Sequence, residues 1–254
     1  MKQRYFIELA YNGTRFHGWQ VQPNAKSVQE SLEKALSTIC RESIAVTGAG
    51  RTDTGVHASY FVAHFESEKT VLDHPDFTYK MNSFLGPDLV IFRISKVGPQ
   101  AHARFDATSR TYHYFINQRK DPFARETSWY FTRPLDVHQM NVACAVLFDY
   151  IDFTSFSKLH TDVKTNNCQI YYARWVEKDQ QLTFTIKADR FLRNMVRAIV
   201  GTMVEVGQGK LDIPGFRQVI EAKDRALAGA SAPPQGLFLA NIAYPEDVFQ
   251  RMED

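Results

Sequence analysis

No apolar run in this chain of 254 residues approaches the length needed to cross a bilayer, and Lys2-Gln3-Arg4 leads into a strand-like pattern instead of a signal-peptide core. The chain is therefore expected in the cytoplasm, with no membrane partner. Cysteine is scarce. Cys40, Cys144 and Cys168 lie far apart and show none of the paired spacing of a zinc site, so each reads as a small buried hydrophobe. The histidines, among them His57, His64, His102 and His113, have no metal-ligand spacing with an acid or a cysteine. There is no Gly-x-Gly-x-x-Gly after a strand and no Walker-type Gly-Lys-Ser. Gly207-Gln208-Gly209-Lys210 follows a helical pattern instead of preceding one, which makes it a helix C-terminal cap. No cofactor is implied. A dominant charge is missing too: 30 Lys and Arg face 28 Asp and Glu, for a net +2. Bulk charge thus neither supports nor excludes a nucleic-acid partner.

What is present is an ordinary globular composition, 44% hydrophobic and 23% charged, with enough chain for one large domain or two small ones. Residues 5–11 alternate as a strand does. Ser27-Val28-Gln29-Glu30 is a capping box, and Val28, Leu32, Leu36 and Ile39 recur at helical spacing. Strands over 44–47 and 59–65, a helix around Phe77 to Leu85 and a strand over 90–97 complete a β-α-β-β-α-β order. The second half repeats it. There the strand is 110–117, and Asp136 with Gln139 caps a helix running to about Phe148. A hairpin of 169–177 and 182–188 follows, then a strong helix over 191–206, a short helix near 216–222 and a last strand over 237–244. Two copies of the split pattern imply an α+β fold with antiparallel sheets and helices on one face. Halves of this kind, 1–105 and 106–254, can join into one mostly antiparallel sheet with a central cleft. The polar segment 158–167 is expected to be a mobile loop.

Three places carry residues suited to chemistry. In Gly48-Ala49-Gly50-Arg51-Thr52-Asp53-Thr54-Gly55-Val56-His57-Ala58, one carboxylate sits between an arginine and a histidine on a glycine-rich loop. Glycine permits a sharp turn and close substrate approach, and a neighbouring cation keeps a carboxylate ionised. Asp53 is thus a candidate nucleophile or base, while a polar turn between two strands explains the same composition. In Arg110-Thr111-Tyr112-His113-Tyr114 the two tyrosines share one face of a strand, which fits sheet packing and also fits stacking on an extruded base. In the helix from Phe191, Arg190, Arg193 and Arg197 recur at i, i+3 and i+7 on an otherwise apolar element. A buried cation needs a partner, either a structural acid or Asp53 itself. Arg104, Arg110, Arg119, Lys120, Arg125 and Arg133 form a second basic group, a solvated face or the lining of a phosphate-binding cleft. A non-catalytic RNA-binding module accounts for the aromatics and arginines but has no use for an ionised carboxylate facing phosphates. A small-molecule enzyme has no use for two arginine groups on opposite halves.

The Asp53 loop, read with Gly18-Trp19-Gln20, resembles the signature of the tRNA pseudouridine synthase A family, and the resemblance runs almost end to end. It is carried further by Tyr11-Asn12-Gly13-Thr14, Phe16-His17-Gly18-Trp19-Gln20-Val21-Gln22-Pro23, His102-Ala103-Arg104-Phe105, Arg110-Thr111-Tyr112, Asp152-Phe153-Thr154-Ser155-Phe156, Phe191-Leu192-Arg193-Asn194-Met195-Val196-Arg197 and Gly236-Leu237. Two stretches depart from the family pattern, Leu85-Gly86-Pro87-Asp88 and Asp149-Tyr150-Ile151, and both are expected to lie clear of the site. The resemblance implies isomerisation of uridine to pseudouridine in the anticodon stem-loop of tRNA, at positions 38 to 40, with no cofactor. It implies two ferredoxin-like halves around a cleft and a homodimer. By motif, Asp53 would be the nucleophilic aspartate, Arg51 would help extrude or hold the nucleotide, Tyr112 would stack on the target base, and Arg197 would be the basic partner of Asp53.

Overall fold

The computed structural model describes residues 2–158 and 165–249; most of the segment expected to form a mobile loop, residues 159–164, lies outside them. The fold is α+β, with five α-helices and largely antiparallel strands among the described residues. Contacts divide the chain into two compact units. Unit 1 comprises residues 1–108 with 239–254, and unit 2 comprises 109–238. The last strand therefore straddles the division at residue 238, whereas element order alone places it wholly in the second half.

Unit 1 is built from β1 (Gln3–Tyr11), α1 (Val28–Cys40), β2 (Val46–Gly48), β3 (His57–Ser67), α2 (Pro75–Phe84) and β4 (Leu89–Val97). Its strands run in the order β4-β1-β3-β2, every pair antiparallel, which is the order of a split β-α-β-β-α-β unit. The capping box forms as read: the Ser27 hydroxyl accepts the Glu30 N–H at 3.2 Å, and α1 buries Val28, Leu32, Ala35 and Leu36. Strand β1 is buried on both faces, from Tyr5 through Leu9. On one face Tyr5 stacks on Phe65 at 5.4 Å. On the other, Phe6 meets Tyr244 and Phe249 edge-on, each at 5.6 Å, so the C-terminal segment covers it. Glu8 on that face is 8% exposed, yet satisfied by the Tyr60 hydroxyl at 2.8 Å and Arg93 Nε at 2.7 Å.

Unit 2 is built from β5 (Ser109–Asn117), the short β6 (Trp129–Tyr130), α3 (Val137–Val146), β7 (Ile170–Lys178), β8 (Gln181–Ala188), α4 (Met195–Gly207) and α5 (Ile213–Glu221). The last strand, β9, is Leu237–Ala243. In unit 2 the strands run β5-β8-β7, antiparallel, with β6 parallel to the end of β5. Asp136 caps α3 by accepting the Gln139 N–H at 3.0 Å. Trp175 is fully buried, stacked on Phe184 at 4.9 Å, and its ring N–H points at the Met203 sulfur at 3.3 Å. Every residue of α4 except Arg197 and Glu205 is buried, as its apolar sequence demands. The helix starts four residues later than its hydrophobic run suggests, because Asn194 adopts a left-handed conformation, φ 67°. All three cysteines are buried and free. Among the described residues no helix is long and apolar enough to cross a membrane.

Candidate active site

The Asp53 loop of unit 1 leaves β2 at Gly48 and re-enters the sheet at β3. It is tied to residues 11–19 by hydrogen bonds from main-chain N–H groups, two to carbonyls and one to a side chain. The Trp19 N–H donates to the Thr52 carbonyl at 3.3 Å, the Gly55 N–H to the Phe16 carbonyl at 3.3 Å, and the Gly13 N–H to His57 Nδ1 at 3.0 Å. The hydroxyls of Tyr11 and Thr52 lie 2.9 Å apart. Within the loop, the Val56 N–H closes a turn on the Asp53 carbonyl at 3.1 Å. This turn fixes the aspartate's backbone and leaves its side chain partly exposed, beside an exposed Arg51.

Two glycines make the approach possible. Gly18 holds φ +88°, and a Cβ there would stand 2.4 Å from the Thr52 carbonyl oxygen; a Cβ on Gly13 would stand 2.0 Å from that of Val56. The loop's own glycines play three different parts. Gly48 makes room for the Trp19 indole, which would lie 2.5 Å from a Cβ and which stacks on Phe61 at 4.2 Å. Gly55 is the turn residue, φ +77°. A Cβ on Gly50 would meet nothing within 4 Å. The loop is braced, not loose. His57 is buried as one of its braces. The turn 85–88 is nearer to this assembly than expected: the Asp88 carbonyl accepts the Asn12 N–H at 2.8 Å, and its carboxylate pairs with Arg15 at 3.4 Å.

In unit 2, Tyr112 stands on β5 opposite Ile186 of β8, half-buried, with the Phe191 ring edge-on at 5.1 Å. Tyr114, on the same face two residues on, is fully buried and donates its hydroxyl to the Pro233 carbonyl at 2.8 Å. Burial pushes that hydroxyl well above the usual phenol range, and the charge of Arg197 draws it partly back. Arg197 is half-exposed near the start of α4, its Nε donating to the Ala232 carbonyl at 2.7 Å. Arg190 and Arg193 do not share its helical face. They precede the left-handed Asn194 and lie outside the helix, so the i, i+3, i+7 reading fails for them. The Arg110 guanidinium is held by the Asp189 carbonyl at 2.8 Å.

What positions Arg197 is a feature sequence reading passed over. Residues 228–232 run along α4 as a strap: the Ala232 N–H donates to the Arg197 carbonyl at 2.9 Å and the Gly229 N–H to the Thr202 hydroxyl at 2.9 Å, while a Cβ on Gly201 would stand 1.8 Å from the Ala230 carbonyl oxygen. The signal was there, since Ala228-Gly229-Ala230-Ser231-Ala232 holds only small residues, as close backbone approach requires.

The chain belongs to the tRNA pseudouridine synthase family, whose sequence profile matches residues 9–106 and 150–245. Among its relatives is tRNA pseudouridine synthase A of Bacteroides thetaiotaomicron, 59% identical over 250 residues, 97% of this chain and 93% of the relative. The enzyme of that name from Parabacteroides distasonis is 56% identical, covering 97% of this chain and 98% of its own length. A more distant one, from a Thermoanaerobacter species, keeps 40% identity over 94% of this chain and 98% of its own.

Proposed function

We propose that the chain isomerises uridine to pseudouridine in the anticodon stem-loop of tRNA, at positions 38 to 40, with Asp53 as the reacting carboxylate. It is an isomerase acting on tRNA. The observation that carries the assignment of Asp53 is its place on the turn closed by Val56, in a loop whose backbone is pinned to residues 11–19 within the family-matched segment. A group that must meet a reacting atom benefits from such fixing, because orientation paid for in folding need not be paid for in the reaction.

The reaction breaks the N1–C1′ bond of uridine, turns the freed uracil and forms a C5–C1′ bond. The proton leaving C5 is balanced by one gained at the nitrogen that left the ribose. Nothing is added or removed, so the overall change requires neither an oxidant nor a nucleotide energy source. Asp53 acts by attack at ribose C1′, by attack at uracil C6, or as a base leading to a glycal; each route begins from the ionised carboxylate. In this reading Tyr112 stacks on the extruded base and Arg51 helps to extrude or hold the nucleotide. Arg197 is the aspartate's basic partner. The protein acts as a homodimer in the cytoplasm, pooling the positive surface that one chain of net charge +2 lacks.

The test is incubation of the purified protein with an unmodified tRNA transcript, followed by mapping of pseudouridine along the RNA. Pseudouridine confined to positions 38 to 40 is expected. RNA that binds but remains unmodified would return the chain to a binding module, and modification only outside the anticodon arm would overturn the stated specificity.

A further inference from the structure

The strap over α4 has an anchor of its own in unit 2. Helix α5 ends at Glu221, and Lys223 turns the chain through a left-handed conformation, φ 52°. The Asp224 carboxylate then accepts the Ala226 N–H at 2.9 Å and starts a single 3-10 turn over Arg225–Leu227. From this turn the half-buried Arg225 side chain reaches the strap that follows it. Its Nη1 donates to the Ala228 carbonyl at 3.2 Å and to the Gly229 carbonyl at 3.1 Å, and its Nη2 to the Ser231 hydroxyl at 2.9 Å. Among the described residues its partners are carbonyls and a hydroxyl, with no carboxylate. Ser231 also accepts the Asn194 side-chain N–H at 2.7 Å, which ties the strap to the residue that starts α4. The far end of the strap meets Arg197. Ala232 accepts from Arg197 Nε at 2.7 Å and donates its own N–H to the Arg197 carbonyl at 2.9 Å, and the next carbonyl, that of Pro233, takes the Tyr114 hydroxyl.

Resting on the reading of Arg197 as the basic partner of Asp53, we propose that Arg225 is a positioning residue for the isomerisation: it buckles residues 228–231, and the buckled strap sets the plane of the Arg197 guanidinium through Ala232. Arginine suits the task because its guanidinium is a rigid planar fork that binds several oxygens at fixed angles, whereas an ammonium is a point charge on a flexible stem. The bond at Arg197 Nε fixes the plane of that second guanidinium without using either terminal nitrogen. The strap cannot slide along the helix to escape the buckle, since backbone meets backbone where Ala230 passes Gly201. A phosphate contact fits Arg225 less well, because three of its five N–H groups already bind the strap.

The experiment is a double-mutant cycle on single-turnover pseudouridine formation at saturating tRNA, with tRNA affinity measured for each full-length variant. Arg225→Met is expected to lower the rate about tenfold to a hundredfold, the scale of a displacement of about 1 Å at a group that must meet its target. Affinity should stay within about threefold of wild type. Added to Arg197→Met, the same change should cost less than about threefold more, because the residue it positions is already gone. Ser231→Ala keeps Arg225 and removes one acceptor, so it should cost roughly twofold to tenfold and lose that effect in the Arg197→Met background; it carries the test if Arg225→Met does not fold. Arg225→Lys should recover only part of the rate, since it keeps the charge without the fork. Losses that multiply in the double variants would overturn the proposal and leave Arg197 its role, because a residue that merely stabilised the fold would act independently of Arg197. Weakened affinity with an intact rate would overturn it as well, making Arg225 a phosphate contact. An unimpaired Arg197→Met would instead overturn the reading of Arg197 on which the proposal rests.

Discussion

Unit 1 and unit 2 hold the proposed site residues by opposite means. Asp53 sits on a loop that owes its shape to main-chain hydrogen bonds and to two glycines that let backbone meet backbone. Tyr112 and Arg197 sit on a strand and a helix, whose places are set by packing and by a strap of small residues. The first arrangement leaves the aspartate half-exposed. The second buries most of its neighbours, down to a fully buried Tyr114. A reacting group that must approach a large polymer is better served by the first, and a surface that must stay flat and stiff by the second. Changes at unit 1 should therefore strike the rate, and changes at unit 2 should divide between rate and binding.

The largest effect is expected at the aspartate itself. Asp53→Asn keeps the shape and removes the charge, so pseudouridine formation should fall roughly 10⁴-fold or more, the scale seen when one catalytic carboxylate is neutralised. Folding and tRNA affinity should hold. Near-wild-type turnover would remove Asp53 from the chemistry, and an unfolded variant would make the loop a structural turn.

Next comes the brace. Gly18→Ala forces a Cβ to within 2.4 Å of the Thr52 carbonyl oxygen at a left-handed φ, so the Asp53 turn must shift. Displacement of about 1 Å costs a rate on the order of 10²-fold. Gly50→Ala meets nothing within 4 Å and should leave activity within about threefold of wild type, since substitutions away from any contact are close to neutral. Single-turnover rates for the pair break the comparison if the two variants behave alike, because the loop would then not depend on its close approach to residue 18.

In unit 2, Arg197→Met should lower the rate at saturating tRNA by roughly tenfold to a hundredfold, the worth of a hydrogen bond to a charged group. Binding should change less. The reverse pattern would make Arg197 a phosphate contact. Tyr112→Phe should bind tRNA like wild type, whereas Tyr112→Ala should lose the roughly 1–3 kcal/mol of a stacked base. A Phe variant that binds and fails to react would assign the hydroxyl to movement of the C5 proton. Two unaffected variants would return Tyr112 to sheet packing.

The smallest effect concerns the covered face of unit 1. Burial holds the His64 imidazole at about 4, below its ordinary 6.5, with the charges of His102 and Arg4 adding to the shift. Its Nδ1 accepts the Ala103 N–H at 3.2 Å, which the protonated ring cannot do. The unfolded chain takes up a proton between those two pH values that the folded chain refuses, so stability falls as pH drops from 6.5 towards 4. His64→Gln should flatten that part of the curve of melting temperature against pH. An unchanged slope would mean that this face is wetter than its packing indicates.

Local rules made much of this legible. Ser27 and Asp136 cap their helices through side-chain oxygens three residues from the N–H they bind, and such spacing needs no tertiary knowledge. The motif Gly50-Arg51-Thr52-Asp53 could be singled out through its resemblance to a known family, since Gly and Asp by themselves also compose ordinary turns. The start of α4 could not be read, since periodicity does not find a boundary that one left-handed asparagine, Asn194, sets. The role of Gly18 and the strap over α4 could not be read either. Both depend on which distant backbone lies within van der Waals reach, Thr52 for Gly18 and Ala230 for Gly201. Composition, caps and strand alternation are properties of neighbouring residues, and the sequence by itself determined them. The tertiary structure alone decided which loop is braced and which arginine stays on its helix, because those follow from contacts between residues far apart in the chain.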